Sequence, residues 1–220
     1  MNGLICLQGG DEFTPDCRTM DEDWLARIDA GVVAIAPLAC AIGVEYRTAA
    51  TNGAEYLRDL GVSDIIAVPE PETSLRGSVR AIIDADTVVI PGGSPVRIHR
   101  RVVETAIGGA LRAHLVRGGT LIGASAGAMV LGEVMVVPGG DMQVRPGLAV
   151  VPGVLVLPHY DEPRGDLVDR VSEQVGSDIS ILGIPACCGV LPINGEMVAL
   201  GSRDAWRFTA HGGPSVIPHA

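Results

Sequence analysis

The sequence predicts an α/β fold, a three-layer α/β/α sandwich with a mostly parallel central sheet and a C-terminal β-hairpin. Short apolar segments rich in β-branched residues alternate with longer segments of helical pattern. Hydrophobic residues make up 47% of the 220 residues and aromatic residues only 3%, so the interior is aliphatic, as in strands covered on both faces. Because no linker or repeat interrupts this pattern, we expect residues 1–220 to form one domain.

Seven apolar segments bounded by Gly, Pro or Asp are the expected strands of the layered fold. They are Gly3–Gln8, Gly31–Pro37, Asp64–Pro69, Thr87–Pro91, Thr120–Gly123, Val150–Leu157 and Ser180–Ile184. The segments with a helical pattern are Thr48–Leu60, Thr73–Ile83, Val96–Val116, Ala126–Gly132 and Asp166–Val175. This alternation implies right-handed crossovers between parallel strands. Near the end, Glu196–Leu200 and Ala205–Thr209 are joined by Gly-Ser-Arg-Asp and predict the hairpin.

The charge and the apolar segments argue against nucleic acid and membranes as partners. The net charge is −10 and no cluster of lysines and arginines is present, so nucleic acid is not an expected partner. The N-terminus lacks the basic and long apolar segments of a signal peptide, and the apolar run Gly31–Val44 is too short to span a bilayer. We expect a soluble, cytoplasmic protein that does not bind membranes, and we leave open whether it forms a homodimer.

The cysteines and histidines give no indication of a metal site. The five cysteines are odd in number and show no C-x-x-C spacing, which fits a reducing compartment. We interpret the adjacent Cys187 and Cys188 as small buried thiols without chemistry. The histidines other than His159 show no metal-ligand spacing either, and we expect no metal.

The segment TLIGASAGAMVLG, residues 120–132, changes from a strand pattern to a helical pattern around Ser125. The spacing G-x-S-x-G is typical of a sharp turn that pushes a nucleophilic hydroxyl out of the backbone and therefore needs small neighbours. A glycine-rich structural turn is the alternative interpretation. A second strand-to-helix junction, VVIPGGSP, ends in Gly92 and Gly93, whose N–H groups could bind an oxyanion together with the N–H of Ala126.

His159 follows another apolar strand, in VLVLPHYDEPRGD. A histidine there could accept the proton of Ser125 and return it to a leaving amine, although a lone histidine at a strand end is more often a solvated one. Ligands of open α/β sheets bind at the carboxyl ends of the strands, and all three motifs fall at such ends of the predicted sheet. This coincidence favours an active site.

At these motifs the chain resembles the aspartyl dipeptidase (dipeptidase E) and cyanophycinase family of serine peptidases, which have a class I glutamine amidotransferase-like fold. The matching segments are DTVVIPGGSP, GGTLIGASAGAMVL, LPHYDEPRG and LGIPACCGVLPINGEMVALG. The resemblance implies that Ser125 is the nucleophile, His159 the base, and the N–H groups of Gly93 and Ala126 the oxyanion hole. It also implies cleavage of a small peptide near an aspartyl residue, with no metal and no cofactor.

One position departs from the family. Where relatives have a glutamate that orients the histidine, this chain has Ala186. Loss of such an orienting acid usually lowers turnover by orders of magnitude. Asp141, on the long segment 138–152 that we expect to be an active-site loop, is our first choice of substitute, and Asp161 is the second; either could instead be a turn aspartate. Arg164 could bind a substrate carboxylate, or it could pair with Asp161 or Asp166 at the surface.

Three functions fit these observations. The first is a serine peptidase of the dipeptidase type that forms an acyl-enzyme on Ser125, with Gly92 and Arg164 contacting the substrate. The second is a non-catalytic or weakly active relative that binds a peptide or metabolite in the same cleft, which Ala186 favours. The third is an α/β-hydrolase esterase, because Ser125, Asp141 and His159 follow its order, but their spacing is too tight for that fold. A related amidotransferase would need cysteine at position 125.

Overall fold

A computed structural model of the chain describes residues 3–138, 142–162, 165–210 and 212–219. Its strands are β1 (Ile5–Gln8), β2 (Val33–Ile35), β3 (Ile65–Ala67), β4 (Thr87–Ile90), β5 (Thr120–Ala124), β6 (Val134–Val137), β7 (Gln143–Pro146), β8 (Val154–Pro158), β9 (Ser180–Ile184), β10 (Gly189–Ile193), β11 (Glu196–Leu200), β12 (Trp206–Thr209) and β13 (Gly212–Val216). Its helices are α1 (Arg18–Leu25), α2 (Val44–Asp59), α3 (Pro71–Asp84), α4 (Pro95–Val103), α5 (Ala106–Val116), α6 (Ala126–Leu131) and α7 (Gly165–Ser172), with a 3₁₀ turn at Pro15–Cys17.

The central sheet has seven strands in the order β11-β10-β1-β5-β4-β2-β3. The five strands from β1 to β3 in this order are parallel. β10 is antiparallel to β1, and β11 is antiparallel to β10, so β10 is the strand of this sheet that runs against the others. Because β5 lies between β1 and β4, the segments that follow these three strands meet at one edge of the sheet. A second sheet has the order β13-β12-β9-β8, and β6 pairs with β7 alone.

Side-chain alternation along the central strands gives the sheet one core on each face. Cys6, Ile35 and Ile122 pack with residues of α1 and α2, including Trp24 and Leu57. Their neighbours Leu7, Ala34 and Leu121 point to the other face and pack with residues of α3, α4, α5, α6 and the second sheet. Helices therefore cover both faces, and the predicted three-layer α/β/α class is confirmed.

The helix predicted at Val96–Val116 is two helices. α4 ends at Val103 and α5 begins at Ala106, because Thr105 has an extended backbone and its hydroxyl accepts the N–H of Ile107 at 3.2 Å. This hydroxyl caps the start of the second helix. Helix α1 was not predicted from the sequence at all. The reason is that its apolar face is carried by few residues in RTMDEDWL, and Met20 and Trp24 are its buried hydrophobic side chains.

Strand pairing in the C-terminal part also differs from the prediction. The chain does end in a β-hairpin, but β12 pairs with β13 and β11 pairs with β10. The two segments that we expected to pair, β11 and β12, lie in different sheets. In the segment 138–152, which we expected to be irregular, Gln143–Pro146 forms β7 against β6. In the described part of the chain, no helix is both long and apolar enough to cross a membrane.

Candidate active site

Ser125 occupies the sharp turn between β5 and α6. Its backbone has φ 49° and ψ −115°, and its N–H donates to the carbonyl of Gln8 at 3.0 Å. The glycines of the motif allow close packing around this turn: a Cβ at Gly127 would lie 2.1 Å from the carbonyl oxygen of Ile90, and one at Gly123 would lie 2.5 Å from the carbonyl oxygen of Gly127. The spacing G-x-S-x-G is thus explained: the serine is in a strained conformation, and each of the two glycines is too close to a carbonyl oxygen to carry a side chain.

The side chains of Ser125 and His159 are in contact: Oγ lies 3.0 Å from Nε2. His159 follows β8, which belongs to the second sheet and not, as we expected, to the central one. Its N–H donates to the carbonyl of Gly9 at 2.8 Å, and its ring packs on Gly10, where a Cβ would lie 2.2 Å from Cε1. A hydroxyl that donates to Nε2 requires the proton of the neutral ring to be on Nδ1. This distance is suitable for proton transfer.

Asp11 faces the other nitrogen of the ring. Its Oδ1 lies 3.8 Å from Nδ1 of His159, and both side chains are about half exposed. Asp161, our second choice of orienting acid, is bound elsewhere: its Oδ1 accepts the N–H of Ala186 at 3.2 Å and a guanidinium N–H of Arg203 at 2.5 Å. Asp141, our first choice, lies outside the described residues, as does Arg164.

Gly92 and Gly93 follow β4, and Gly92 lies beside Ser125. A Cβ at Gly92 would be 3.4 Å from Oγ of Ser125, so glycine keeps this side of the hydroxyl open. Its N–H donates to Oε1 of Glu12 at 2.6 Å. Gly93 has φ 136°, and a Cβ there would lie 2.8 Å from the carbonyl oxygen of Ala39. Ala126 begins α6 directly after the serine, so its N–H is one of the helix N–H groups without a carbonyl acceptor inside the helix.

A cavity of about 710 Å³ opens next to Gly92 and Gly93. This volume is in the range of sites that bind small molecules. The charged residues that the structure describes around it are all acidic: Glu12, Glu45, Glu55 and Asp59. A second cavity of the same volume lies at the opposite edge of the sheet, near Gly3 and Thr120, far along the strands from Ser125. The described residues form no group of three or more His, Cys, Asp or Glu side chains that could hold a metal ion.

A buried carboxylate supports the segment that carries Asp11 and Glu12. Asp21 accepts hydrogen bonds from three side chains: Nε2 of Gln8 at 2.8 Å, Nε1 of Trp24 at 2.7 Å and the hydroxyl of Tyr56 at 2.8 Å. Burial raises the pKa of Asp21, although these hydrogen bonds act in the opposite direction. The network connects α1 and α2 to the end of β1, beside the site.

Two cysteines form a disulfide close to the site. Cys17, at the start of α1, is bonded to Cys187, which follows β9, and their Cα atoms are 4.4 Å apart. Our interpretation of Cys187 as a buried thiol is therefore wrong. Cys188 is a free buried thiol, as are Cys6 and Cys40. Burial raises the pKa of Cys188 to about 12, so its thiol is not a nucleophile at neutral pH.

Sequence reasoning missed Asp11, Glu12 and Asp21. The segment LQGGDEF, residues 7–13, has the same pattern as VVIPGGSP, which contains Gly92: an apolar strand is followed by two glycines and polar residues. It begins at β1, the neighbour of β5, where Gln8 pairs with Ala124. The glycine pair in LQGGDEF indicates a functional strand end only when β1 is known to lie beside β5.

The chain is similar to known peptidases over most of its length. The sequence model of Peptidase family S51 matches residues 19–200. Cyanophycinase from Trichormus variabilis is 29% identical over 176 residues, which cover 73% of this chain and 56% of the relative. Cyanophycinase from Nostoc sp. is 28% identical over 176 residues with the same coverage. The chain thus spans a little over half the length of the curated relatives it matches.

A solved structure shares the fold. A peptidase from an acI-B1 Actinobacterium superposes with a TM-score of 0.71 at 20% identity, and the match covers 98% of this chain and 97% of that one. Such low identity establishes the fold alone. The family model, in contrast, matches well over half of the sequence and includes Ser125, His159 and the position of Ala186. The chain therefore belongs to Peptidase family S51.

Proposed function

We propose that the protein is a serine-type peptidase that hydrolyses small peptides next to an aspartyl residue through an acyl-enzyme on Ser125. The observation that carries this proposal is the 3.0 Å contact between Oγ of Ser125 and Nε2 of His159. A strained serine whose hydroxyl contacts an imidazole is the arrangement that nucleophilic catalysis requires. Family membership supports the same activity.

The reaction takes place in two halves. Oγ of Ser125 attacks the scissile carbonyl carbon while its proton passes to Nε2 of His159, and the imidazolium then gives this proton to the leaving amine as the C–N bond breaks. In the second half, water attacks the ester on Ser125, His159 takes the proton of the water, and it returns this proton to Oγ as the carboxylic acid leaves. No redox partner or metal is needed for either half.

We assign the oxyanion hole to the N–H groups of Gly93 and Ala126. These groups follow the two neighbouring strands β4 and β5, and hydrogen-bond donors on either side of the nucleophile stabilise the charge that develops on the carbonyl oxygen. The N–H of Gly92 donates to Glu12 at 2.6 Å and is therefore not assigned to the oxyanion hole. Because Gly92 has no side chain, it leaves room for the substrate beside Oγ of Ser125.

The cavity and the family together indicate the class of substrate. A volume of about 710 Å³ accommodates a dipeptide or a similarly small molecule. The preference for an aspartyl residue rests on the resemblance to dipeptidase E, and the relatives named cyanophycinase support it. We propose Arg164, which lies outside the described residues, as a partner for the substrate carboxylate.

A second function is favoured by one observation. Ala186 supplies no carboxylate, and the distance of 3.8 Å between Asp11 and His159 is longer than a hydrogen bond. A protein with a poorly oriented histidine would bind a peptide or metabolite in the same cavity and turn it over slowly or not at all.

Peptide turnover distinguishes the two functions. A panel of Asp-X dipeptides and β-aspartyl peptides is incubated with the wild type, with Ser125→Ala, and with Ser202→Ala, an exposed serine used as the control. We expect the wild type and Ser202→Ala to release amino acids at equal rates and Ser125→Ala to release none. Binding of a peptide by the folded wild type without turnover would support the non-catalytic function, and unchanged turnover by Ser125→Ala would reject Ser125 as the nucleophile.

A further inference from the structure

The general base of the proposed reaction needs its second nitrogen held in place. An imidazole that accepts a proton at Nε2 must carry its other proton on Nδ1, and a carboxylate facing Nδ1 fixes both the tautomer and the ring orientation. Sequence comparison with the family offers no acid at Ala186. A carboxylate that faces Nδ1 of His159 must therefore come from another segment of the chain.

Among the described carboxylates, Asp11 is the one within ion-pair distance of His159, at 3.8 Å from Nδ1. Two carboxylates that are close to Asp11 or His159 in the chain have other partners. Glu12 accepts the N–H of Gly92 at 2.6 Å, and Asp161 accepts the N–H groups of Ala186 and Arg203. Asp11 is thus left to face the imidazole.

The position of Asp11 is determined by a network of contacts and not by a free loop. The turn after β1 contains three residues with positive φ, Gly10 at 126°, Asp11 at 57° and Phe13 at 66°, and such conformations persist only where surrounding contacts impose them. The carbonyl of Gly9 accepts the N–H of His159 at 2.8 Å, so this turn and the histidine are joined directly.

The same turn is held from its other side by the segment that follows β9. The carbonyl of Gly10 accepts the N–H of Cys187 at 3.1 Å, and Cys187 is bonded through its sulfur to Cys17 at the far end of the turn. The residue next to Ala186 therefore anchors the turn that brings Asp11 to the ring. The chain lacks an acid at position 186 but links the adjacent residue covalently to the segment that provides one.

We propose that Asp11 is the positioning residue of His159 and takes the place of the acid that is missing at Ala186. This inference rests on the proposed function. The proton of Ser125 moves to Nε2, and the carboxylate of Asp11 stabilises the resulting imidazolium through Nδ1–H. The gap of 3.8 Å closes to a hydrogen bond when substrate is bound, as contacts that are long in free enzymes commonly do.

The test measures how fast a fluorophosphonate modifies Ser125, because this rate depends on proton transfer to His159 and needs no knowledge of the peptide substrate. The variants are Asp11→Asn, Asp11→Glu, and Asp16→Asn, an exposed aspartate on the same segment used as the matched control. We expect Asp11→Asn to lower the rate by about 10- to 1,000-fold, Asp11→Glu to retain it within about tenfold, and Asp16→Asn to leave it unchanged. With any peptide that is cleaved, kcat falls and KM changes little.

Folding is checked by circular dichroism, and the half-exposed Asp11 is expected to contribute little to stability. Modification of Asp11→Asn at the wild-type rate would overturn the proposal. So would loss of the rate in Asp16→Asn or in Asp11→Glu to the same extent as in Asp11→Asn, because the segment would then act only as structure. If Ser125 of the wild type is modified but no peptide is cleaved, the substrate assignment fails while the role of Asp11 is still measured.

Discussion

Oγ of Ser125 lies 3.0 Å from Nε2 of His159, although the two residues are 34 positions apart and follow strands of different sheets. The contact is possible because the end of β1 lies between them: Gln8 binds the N–H of Ser125 and Gly9 binds the N–H of His159. The turn after β1 is thus the common support of the nucleophile and the base.

The first prediction concerns the contact between Gly10 and the imidazole. A Cβ at Gly10 would lie 2.2 Å from Cε1 of His159, so Gly10→Ala displaces the ring from Ser125. We expect the rate of fluorophosphonate modification to fall by at least about tenfold, because proton transfer requires hydrogen-bond distance. Gly61→Ala is the control, since Gly61 also has a positive φ but no neighbour within 4 Å of the added Cβ.

This comparison separates ring displacement from backbone strain. Both substitutions place alanine where φ is positive, and this backbone strain alone should lower the free energy of unfolding of each variant by about 1 kcal/mol. A Gly10→Ala variant as reactive as Gly61→Ala would show that the ring does not depend on this contact.

The second prediction concerns the pH dependence of stability that comes from Asp21. Burial raises the pKa of this carboxyl above its usual 3.8, so its contribution to folding is fully present below about that pH and is lost as pH rises through the raised pKa. Asp21→Asn removes this dependence, because a neutral amide can accept from Gln8 and Trp24 and donate to the oxygen of Tyr56. We expect the stability of the variant relative to the wild type to increase from pH 4 towards neutral pH.

Urea unfolding at several pH values measures this difference. Asp16→Asn, on the exposed surface, serves as the reference, and its stability relative to the wild type should show no such increase. If the difference in the free energy of unfolding between Asp21→Asn and the wild type does not change with pH, the network stabilises the charged and the neutral forms of the carboxyl equally.

The third prediction concerns the disulfide between Cys17 and Cys187, which are 170 positions apart. A crosslink between distant residues lowers the conformational entropy of the unfolded chain. The double variant Cys17→Ser, Cys187→Ser should therefore have a free energy of unfolding about 2–5 kcal/mol lower than that of the wild type. Reductant should lower the stability of the wild type by a similar amount and leave the double variant unchanged. Equal stability of the oxidised wild type and the double variant would contradict the prediction.

The disulfide also bears on the compartment of the protein. Stable disulfides are common in oxidising compartments, and cytosolic ones are usually transient or redox-sensing. The cytoplasmic location that we inferred from an odd number of cysteines therefore stays a prediction. We further expect reduction to slow the modification of Ser125, because it releases the segment that carries Asp11.

The fourth prediction concerns the charge of the substrate. Four carboxylates of the described residues line the cavity beside Gly92, so a positively charged residue X in Asp-X should be favoured. We expect kcat/KM for Asp-Lys to exceed that for Asp-Glu by about three- to tenfold at low salt, and the difference to shrink at high salt. Glu55→Gln should reduce the preference, and Glu173→Gln, an exposed residue away from the cavity, should not. Equal kcat/KM values for the two dipeptides would show that residue X does not bind in this cavity.

Local sequence patterns predicted nine of the strands and the sharp turn because these depend on near neighbours, whereas β6, β7, β10 and β13 were not predicted. The seven apolar segments all contain strands, and Ser125 stands in the strained conformation that its small neighbours indicated. The split between α4 and α5 was missed because a single threonine cap does not interrupt the apolar pattern. The order of strands decides what meets at an edge, and the sequence does not reveal that order.

For the same reason the proximity of Asp11 to His159 could not be predicted from the sequence. The sequence favoured Asp141 and Asp161, which are close to Ser125 and His159 in the chain, and Asp141, outside the described residues, stays a prediction. Asp161 binds Ala186, which follows β9, and Arg203, which follows β11. Asp11 is 148 positions from His159 and reaches it only through the position of β1 beside β5.

The proposed reaction requires His159 to activate Ser125. This requirement is tested by mass-spectrometric mapping of the fluorophosphonate adduct in the wild type and in a folded His159→Ala variant. We expect an adduct on Ser125 of the wild type, formed about 100-fold or more faster than in His159→Ala. An adduct on another residue, or equal rates at Ser125 in the two proteins, would contradict it.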